Sequence, residues 1–101
     1  MQQQIKVTGD QMVVTIDGRI TDRDHGSFRS IIELIKGGQL KRVTLSLAGA
    51  EFIDSAGLGM FLLLRDAAAE RKTEVVLAGA QGQVLRLIEA SKFGSLFKVT
   101  A

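Results

Sequence analysis

The chain has 101 residues, with 13 Lys and Arg against 11 Asp and Glu, one His, and no Cys, Pro, Trp or Tyr. This length predicts a single domain over residues 1–101, and the lack of Cys excludes disulfides, thiolate metal sites and cysteine nucleophiles. The net charge of +2 includes no basic run longer than two residues, so we expect no nucleic-acid binding. The N-terminus lacks an apolar signal-peptide stretch, and the longest apolar run, residues 60–64, is too short for a membrane span; we expect a cytoplasmic protein.

The first half of the chain predicts a hairpin, a helix and a strand. Residues 5–8 and 12–16 are β-rich and flank Gly9-Asp10, a pair that suits a tight turn, and Gly18 is expected to end the second strand. Thr21 or Asp22 can cap a helix that ends at residues 37–38. Residues 43–47 alternate in the manner of a covered strand.

The second half predicts a loop over residues 48–54, a helix over 56–72 and a strand over 73–77. A turn at residues 79–82 leads into a third helix, and residues 96–99 form the last predicted strand. The resulting order, ββαβαβαβ, combines a hairpin with strand–helix–strand crossovers. It predicts an α/β fold in which helices pack on a mixed β-sheet.

Residues 60–64, Met-Phe-Leu-Leu-Leu, are apolar in a segment predicted as helix. At about 100° per residue, five consecutive positions cover the whole circumference of a helix, so one sheet cannot bury them all. Either a second helix buries the outer side, or an exposed apolar patch that includes Met60 marks a docking site for a partner.

The start of this helix carries the residues best placed for regulation. A phosphate on Ser55 would meet the free N–H groups of the first helical turn and would add about −1.5 to −2 charge beside Asp54. The alternative is that Asp54 or Ser55 is only an N-cap, worth about 1 kcal/mol. Gly57 and Gly59 lower helix propensity, which indicates close backbone approach at these positions.

The segment Asp54-Ser55-Ala56-Gly57-Leu58-Gly59, placed after a hydrophobic strand, resembles the signature of STAS domains, specifically the bacterial anti-sigma factor antagonists. The resemblance extends over almost the whole chain and implies the STAS fold. It also implies partner switching, in which an anti-sigma factor with serine kinase activity phosphorylates Ser55 and a serine phosphatase reverses the reaction. Ala56 stands where many members have Ser or Thr, which leaves Ser55 as the only hydroxyl of the motif. The implied partner-binding residues are Thr21, Asp22, Asp54, Ser55, Gly57, Leu58 and Met60.

Other functions remain open on this sequence. A STAS regulator can serve a biofilm or motility switch, a signalling scaffold or a lipid-transport subunit instead of a sigma factor. A serine hydrolase is not expected, because the first glycine of the nucleophile elbow is missing before Ser55 and His25 is the only histidine. Glu51 and Asp54 lack the further ligands that a metal site needs, and no phosphate-binding loop is present. We therefore expect a binding module without catalytic activity or cofactor.

Overall fold

The computed structural model describes residues 1–101 and contains one mixed six-stranded β-sheet. The strands are β1 (Gln2–Thr8), β2 (Gln11–Ile20), β3 (Arg42–Ser46), β4 (Ala50–Ile53), β5 (Glu74–Ala78) and β6 (Lys98–Thr100). The helices are α1 (His25–Gly37), α2 (Ser55–Glu70) and α3 (Gly82–Ala90), with 3₁₀ turns at Asp22–Asp24 and Phe93–Ser95. This arrangement confirms the predicted α/β class.

The strand order is β1-β2-β3-β5-β6. Strand β4 lies off this path: β2 pairs with β3 through residues 11–15 and with β4 through residues 18–20. Only β1 runs antiparallel to its neighbour, because the turn at Gly9-Asp10 folds it directly onto β2. All other pairings are parallel. Helices α1 and α2 therefore each return the chain from the carboxyl end of one strand to the amino end of the next parallel strand, so the two helices run in the same direction.

The core lies on one face of the sheet. Alternate residues of β2, namely Met12, Val14 and Ile16, are fully buried and belong to a cluster of 24 buried side chains to which all three helices contribute. Val13 and Thr15 point to the opposite face, where Val13 is exposed; Val76 of β5, which lies on that face by register, is buried but does not belong to the cluster. The helices thus form a single layer on one side of the sheet.

The structure corrects three sequence-based boundaries. Gly18 does not end β2: it adopts φ +87° at a shift of register, and the strand continues to Ile20. The predicted loop over 48–54 contains β4, which is only four residues long and pairs with β2 alone. Phe97 precedes the last strand: the N–H of Leu96 closes the 3₁₀ turn on the carbonyl of Phe93 (2.9 Å), and the N–H of Phe97 donates to the same carbonyl (2.8 Å).

Candidate functional site

The carboxyl ends of β2 and β4 lie side by side and bring two sequence-distant segments together. Ile20 pairs with Ile53 in parallel register, and the backbone N–H of Asp54 donates to the carbonyl of Ile20 (3.2 Å). The loop that begins at Thr21 and the start of α2 therefore leave the sheet at the same end, the carboxyl ends of the two strands. The structure thus places side by side the two segments that carry the partner-binding residues implied by the family resemblance.

Asp54 is the N-cap of α2. Its backbone is extended, its Oδ1 accepts from the N–H of Gly57 (2.8 Å), and its carbonyl accepts from the N–H of Leu58 (3.1 Å). Ser55 is the first helical residue, is exposed, and its hydroxyl makes no hydrogen bond within the protein. Because Asp54 performs the capping, the Ser55 hydroxyl is free for another role.

The loop after β2 is held by a second cap. Thr21 accepts from the N–H of Arg23 through its side chain (3.4 Å), and its own N–H donates to Oδ2 of Asp24 (2.8 Å). Asp24 is buried, Thr21 is half-buried and Asp22 projects into solvent. Thr21 thus caps the 3₁₀ turn that leads into α1, and Asp24, which the sequence did not single out, fixes the position of Asp22.

The two glycines of the motif differ. A Cβ at position 57 would lie 2.6 Å from Cγ1 of Ile53 and 3.0 Å from Cγ2 of Ile20, so Gly57 allows α2 to approach the strand ends closely. A Cβ at position 59 would meet nothing within 4 Å. The prediction of close approach is therefore confirmed at Gly57, whereas no part of this chain approaches Gly59.

The apolar run of α2 is mostly buried. Phe61 and Leu64 are fully buried, Met60 is 2% exposed, and Leu62 is half-buried, whereas Leu63 is 57% exposed. The hypothesis of an exposed patch that includes Met60 is wrong, because Met60 lies between α1 and α2 with the core beneath it. The exposed apolar residue of the run is Leu63. Leu58, also among the predicted contacts, is only 9% exposed.

Two glutamines that the sequence did not indicate secure this site from α3. The side-chain amide of Gln83 donates to the carbonyl of Ile53 (2.8 Å) and accepts from its N–H (3.0 Å). Gln81 donates to the carbonyl of Ala48 (2.9 Å). The Gln83 bonds satisfy the backbone of β4 on the side where no strand pairs with it, and the Gln81 bond holds the loop before β4; together they fix the segment that positions Asp54.

The remaining candidate groups stay apart. His25 is exposed at the first residue of α1, and Glu51 projects from β4 into solvent. No group of three His, Cys, Asp or Glu side chains is arranged to hold a metal ion. None of the helices combines the length and apolar character needed to cross a bilayer. The arrangement therefore offers an exposed serine on a capped helix start as its main chemical feature.

Comparison with known proteins agrees with this architecture. The family model for the STAS domain matches residues 2–101. A STAS-domain containing protein of Pseudomonas aeruginosa (strain UCBPP-PA14) is 33% identical over 92 residues, which cover 91% of this chain and 90% of that protein.

Solved structures with the same fold include two anti-sigma factor antagonists. The protein from Mycobacterium paratuberculosis superposes with a TM-score of 0.84 at 14% identity, covering 98% of this chain and 84% of that chain. Bacillus SpoIIAA, solved in unphosphorylated and phosphorylated forms, superposes with TM-scores of 0.78 and 0.77 at 18% identity; each covers 99% of this chain, and this chain covers 87% and 92% of theirs. At these identities the structures establish the shared fold, and the match over residues 2–101 shows that the chain belongs to the STAS domain family.

Proposed function

We propose that this protein is an anti-sigma factor antagonist that works as a phosphorylation-switched binding module in the cytoplasm. With Ser55 unphosphorylated, it binds and sequesters an anti-sigma factor that is also a serine kinase; phosphorylation of Ser55 releases it, and a serine phosphatase restores binding. The observation that carries the proposal is the free, exposed hydroxyl of Ser55 directly after the capping Asp54. Membership of the STAS family and the shared fold with SpoIIAA support it.

The surface around Ser55 suits a switch based on charge. Positions 55, 59, 62 and 66 lie on one face of α2, and no charged side chain occurs on that face between Ser55 and Asp66. A phosphate would add about −1.5 to −2 charge to this neutral stretch, beside the carboxylate of Asp54. A partner that packs against the neutral helix start would lose affinity, because it would have to desolvate or oppose that charge.

The burial of the predicted contact residues divides them into two roles. Thr21, Asp22, Asp54 and Ser55 are at least partly accessible and form the proposed contact surface. Gly59 joins them, because its open backbone lets a partner approach α2 closely. The buried set acts by holding α2 against the strand ends and α1, and it consists of Gly57, Leu58 and Met60.

Binding measurements with Ser55 variants test the switch. Wild type and Ser55→Ala are expected to bind the anti-sigma factor kinase of the source genome with similar affinity, whereas Ser55→Asp should bind at least about tenfold more weakly because it mimics part of the phosphate charge. Ser95→Asp is the charge control: Ser95 is also exposed but lies on a turn near Arg65, well along α2 from Ser55, and its hydroxyl donates to the carbonyl of Lys92 (2.9 Å).

Phosphorylation assays complete the test. With the kinase and ATP, mass spectrometry should find phosphate on Ser55 of the wild type, none on Ser55→Ala, and loss of the phosphate after treatment with the phosphatase. Phosphate on a different residue, or unchanged binding by Ser55→Asp, would contradict the switch. If the bound partner is not an anti-sigma factor, the switch at Ser55 would stand, but it would control an output other than a sigma factor.

A further inference from the structure

A groove of about 370 Å³ runs between α1 and α2. Its floor is apolar: Phe28, Met60 and Ala67 form its base and are buried, and the half-buried Ile32 and the exposed Leu63 present the apolar surface that a partner could reach. Leu63, at 57%, is the most exposed of the large hydrophobic side chains in the protein. An apolar floor of this kind on the outer side of the helix layer is a candidate interaction surface.

The two rims of the groove carry opposite charges. Arg29 and Lys36 line it from α1, and Asp66 and Glu70 line it from α2. No ion pair crosses the groove: Asp66 contacts only its neighbour Arg65 (3.7 Å), and the other three make no ion pair in the structure. A cationic rim therefore faces an acidic rim across an apolar floor, and both are accessible to a binding partner.

A second copy of the chain carries the charges that match both rims. Because α1 and α2 run in the same direction, a twofold axis along the groove places α1 of one copy over α2 of the other at the same height. The cationic rim of each copy then meets the acidic rim of its partner. We propose that the α1–α2 groove is a self-association surface through which two copies form a twofold-symmetric dimer, with the Leu63 side chains near the axis.

The area of the face formed by α1 and α2 determines how tightly the proposed dimer can bind. The 13 residues of α1 extend about 20 Å, and two packed helices present a face of similar width, so each copy would bury roughly 400 Å². The total of roughly 800 Å² is below the range of stable interfaces, about 1,200–2,000 Å². The dimer is therefore weak, and it forms at high protein concentration and low ionic strength, where the rim charges are least screened.

Charge exchange between the rims tests the proposal by analytical ultracentrifugation. The wild type should show a concentration-dependent dimer below about 1 mM, weakened by salt. Arg29→Glu with Lys36→Glu makes both rims acidic, and Asp66→Lys with Glu70→Lys makes both rims basic, so each double variant alone should be monomeric. An equal mixture of the two should associate more tightly than either, because every rim contact across the twofold axis becomes attractive again.

A matched pair of variants controls for net charge and folding. Lys6→Glu with Arg86→Glu, and Glu51→Lys with Glu89→Lys, change the same charges at exposed positions outside the groove. Each control variant should self-associate like the wild type, apart from the effect of general charge repulsion. Mixing the two control variants should increase the association constant less than mixing the two groove variants. Circular dichroism confirms that all variants fold.

A monomeric wild type up to about 1 mM, groove variants that still dimerise, or a groove-variant mixture that gains no more than the control mixture would each overturn the proposal. Ser55 does not line the groove, so these outcomes do not depend on the proposed phosphorylation switch.

Discussion

Asp54 and Ser55 are adjacent in the sequence, yet the structure gives them different tasks. The carboxylate of Asp54 is bonded to the N–H of Gly57 and stabilises the helix, whereas the hydroxyl of Ser55 projects into solvent. The sequence left open which of the two is the cap, because shifting the helix start by one residue exchanges their roles. The pairing of Ile53 with Ile20 decides the matter, since it fixes where β4 ends and α2 begins.

The two motif glycines give a paired prediction at the same scale. Gly57→Ala should lower the free energy of unfolding by about 1–3 kcal/mol, because the new Cβ would press on Ile53 and Ile20. Gly59→Ala should raise it by about 0.5–1 kcal/mol, because the position is helical and open. Urea denaturation followed by circular dichroism measures both. Equal effects of the two substitutions would show that their surroundings are alike, contrary to the structure.

At the level of elements, periodicity predicted most of the fold. Strands β2 and β3 and helices α1 and α3 have clear periodic patterns, because each places one face on the core, whereas β5 is recognised by its consecutive apolar residues Val75, Val76 and Leu77, which are all buried. The burial of the apolar run in α2 could not be decided, since its pattern has no single face and the outcome depends on where α1 packs. Strand β4 was missed because four residues show too little alternation. The bonds between Gln83 and β4 could not be predicted from the sequence, because a side-chain amide that bonds to backbone groups requires no particular residue type in the strand.

Removing the Gln83 amide should loosen β4. Gln83→Leu leaves the partly buried N–H and carbonyl of Ile53 without partners, so we expect a loss of about 2 kcal/mol in the free energy of unfolding. Hydrogen exchange at the Ile53 amide should become faster by more than the loss in the free energy of global unfolding accounts for. Gln81→Leu, which removes one exposed bond to Ala48, serves as the comparison and should cost less than 1 kcal/mol, roughly the value of one exposed hydrogen bond. Equal losses from both variants would argue against a special role for Gln83.

For the whole molecule, the balance of charge gives one modification a large effect. The net charge of +2 would fall to about zero or slightly above on addition of one phosphate at Ser55. In the proposed switch, the kinase and the phosphatase that bind this protein would supply the chemistry, and Ser55 would only receive the phosphate. The proposed phosphorylation of Ser55 would therefore change both the net charge of the molecule and the local charge at the start of α2.

One core implies one unfolding transition, and the phenylalanines can report it. Phe28 and Phe61 pack against each other between α1 and α2 (centroids 5.6 Å apart), and Phe93 and Phe97 form a second pair before β6 (5.1 Å); all four belong to the same buried cluster. Their ring NMR signals should lose dispersion at the same urea concentration at which the helical circular dichroism disappears. The competing expectation is that the C-terminal end opens first, because β6 has three residues and all are exposed. Earlier loss of the Phe93 and Phe97 signals would show that the C-terminal end unfolds separately, and coincident transitions would establish that the start of α2 and the C-terminal pair are stabilised by the same core.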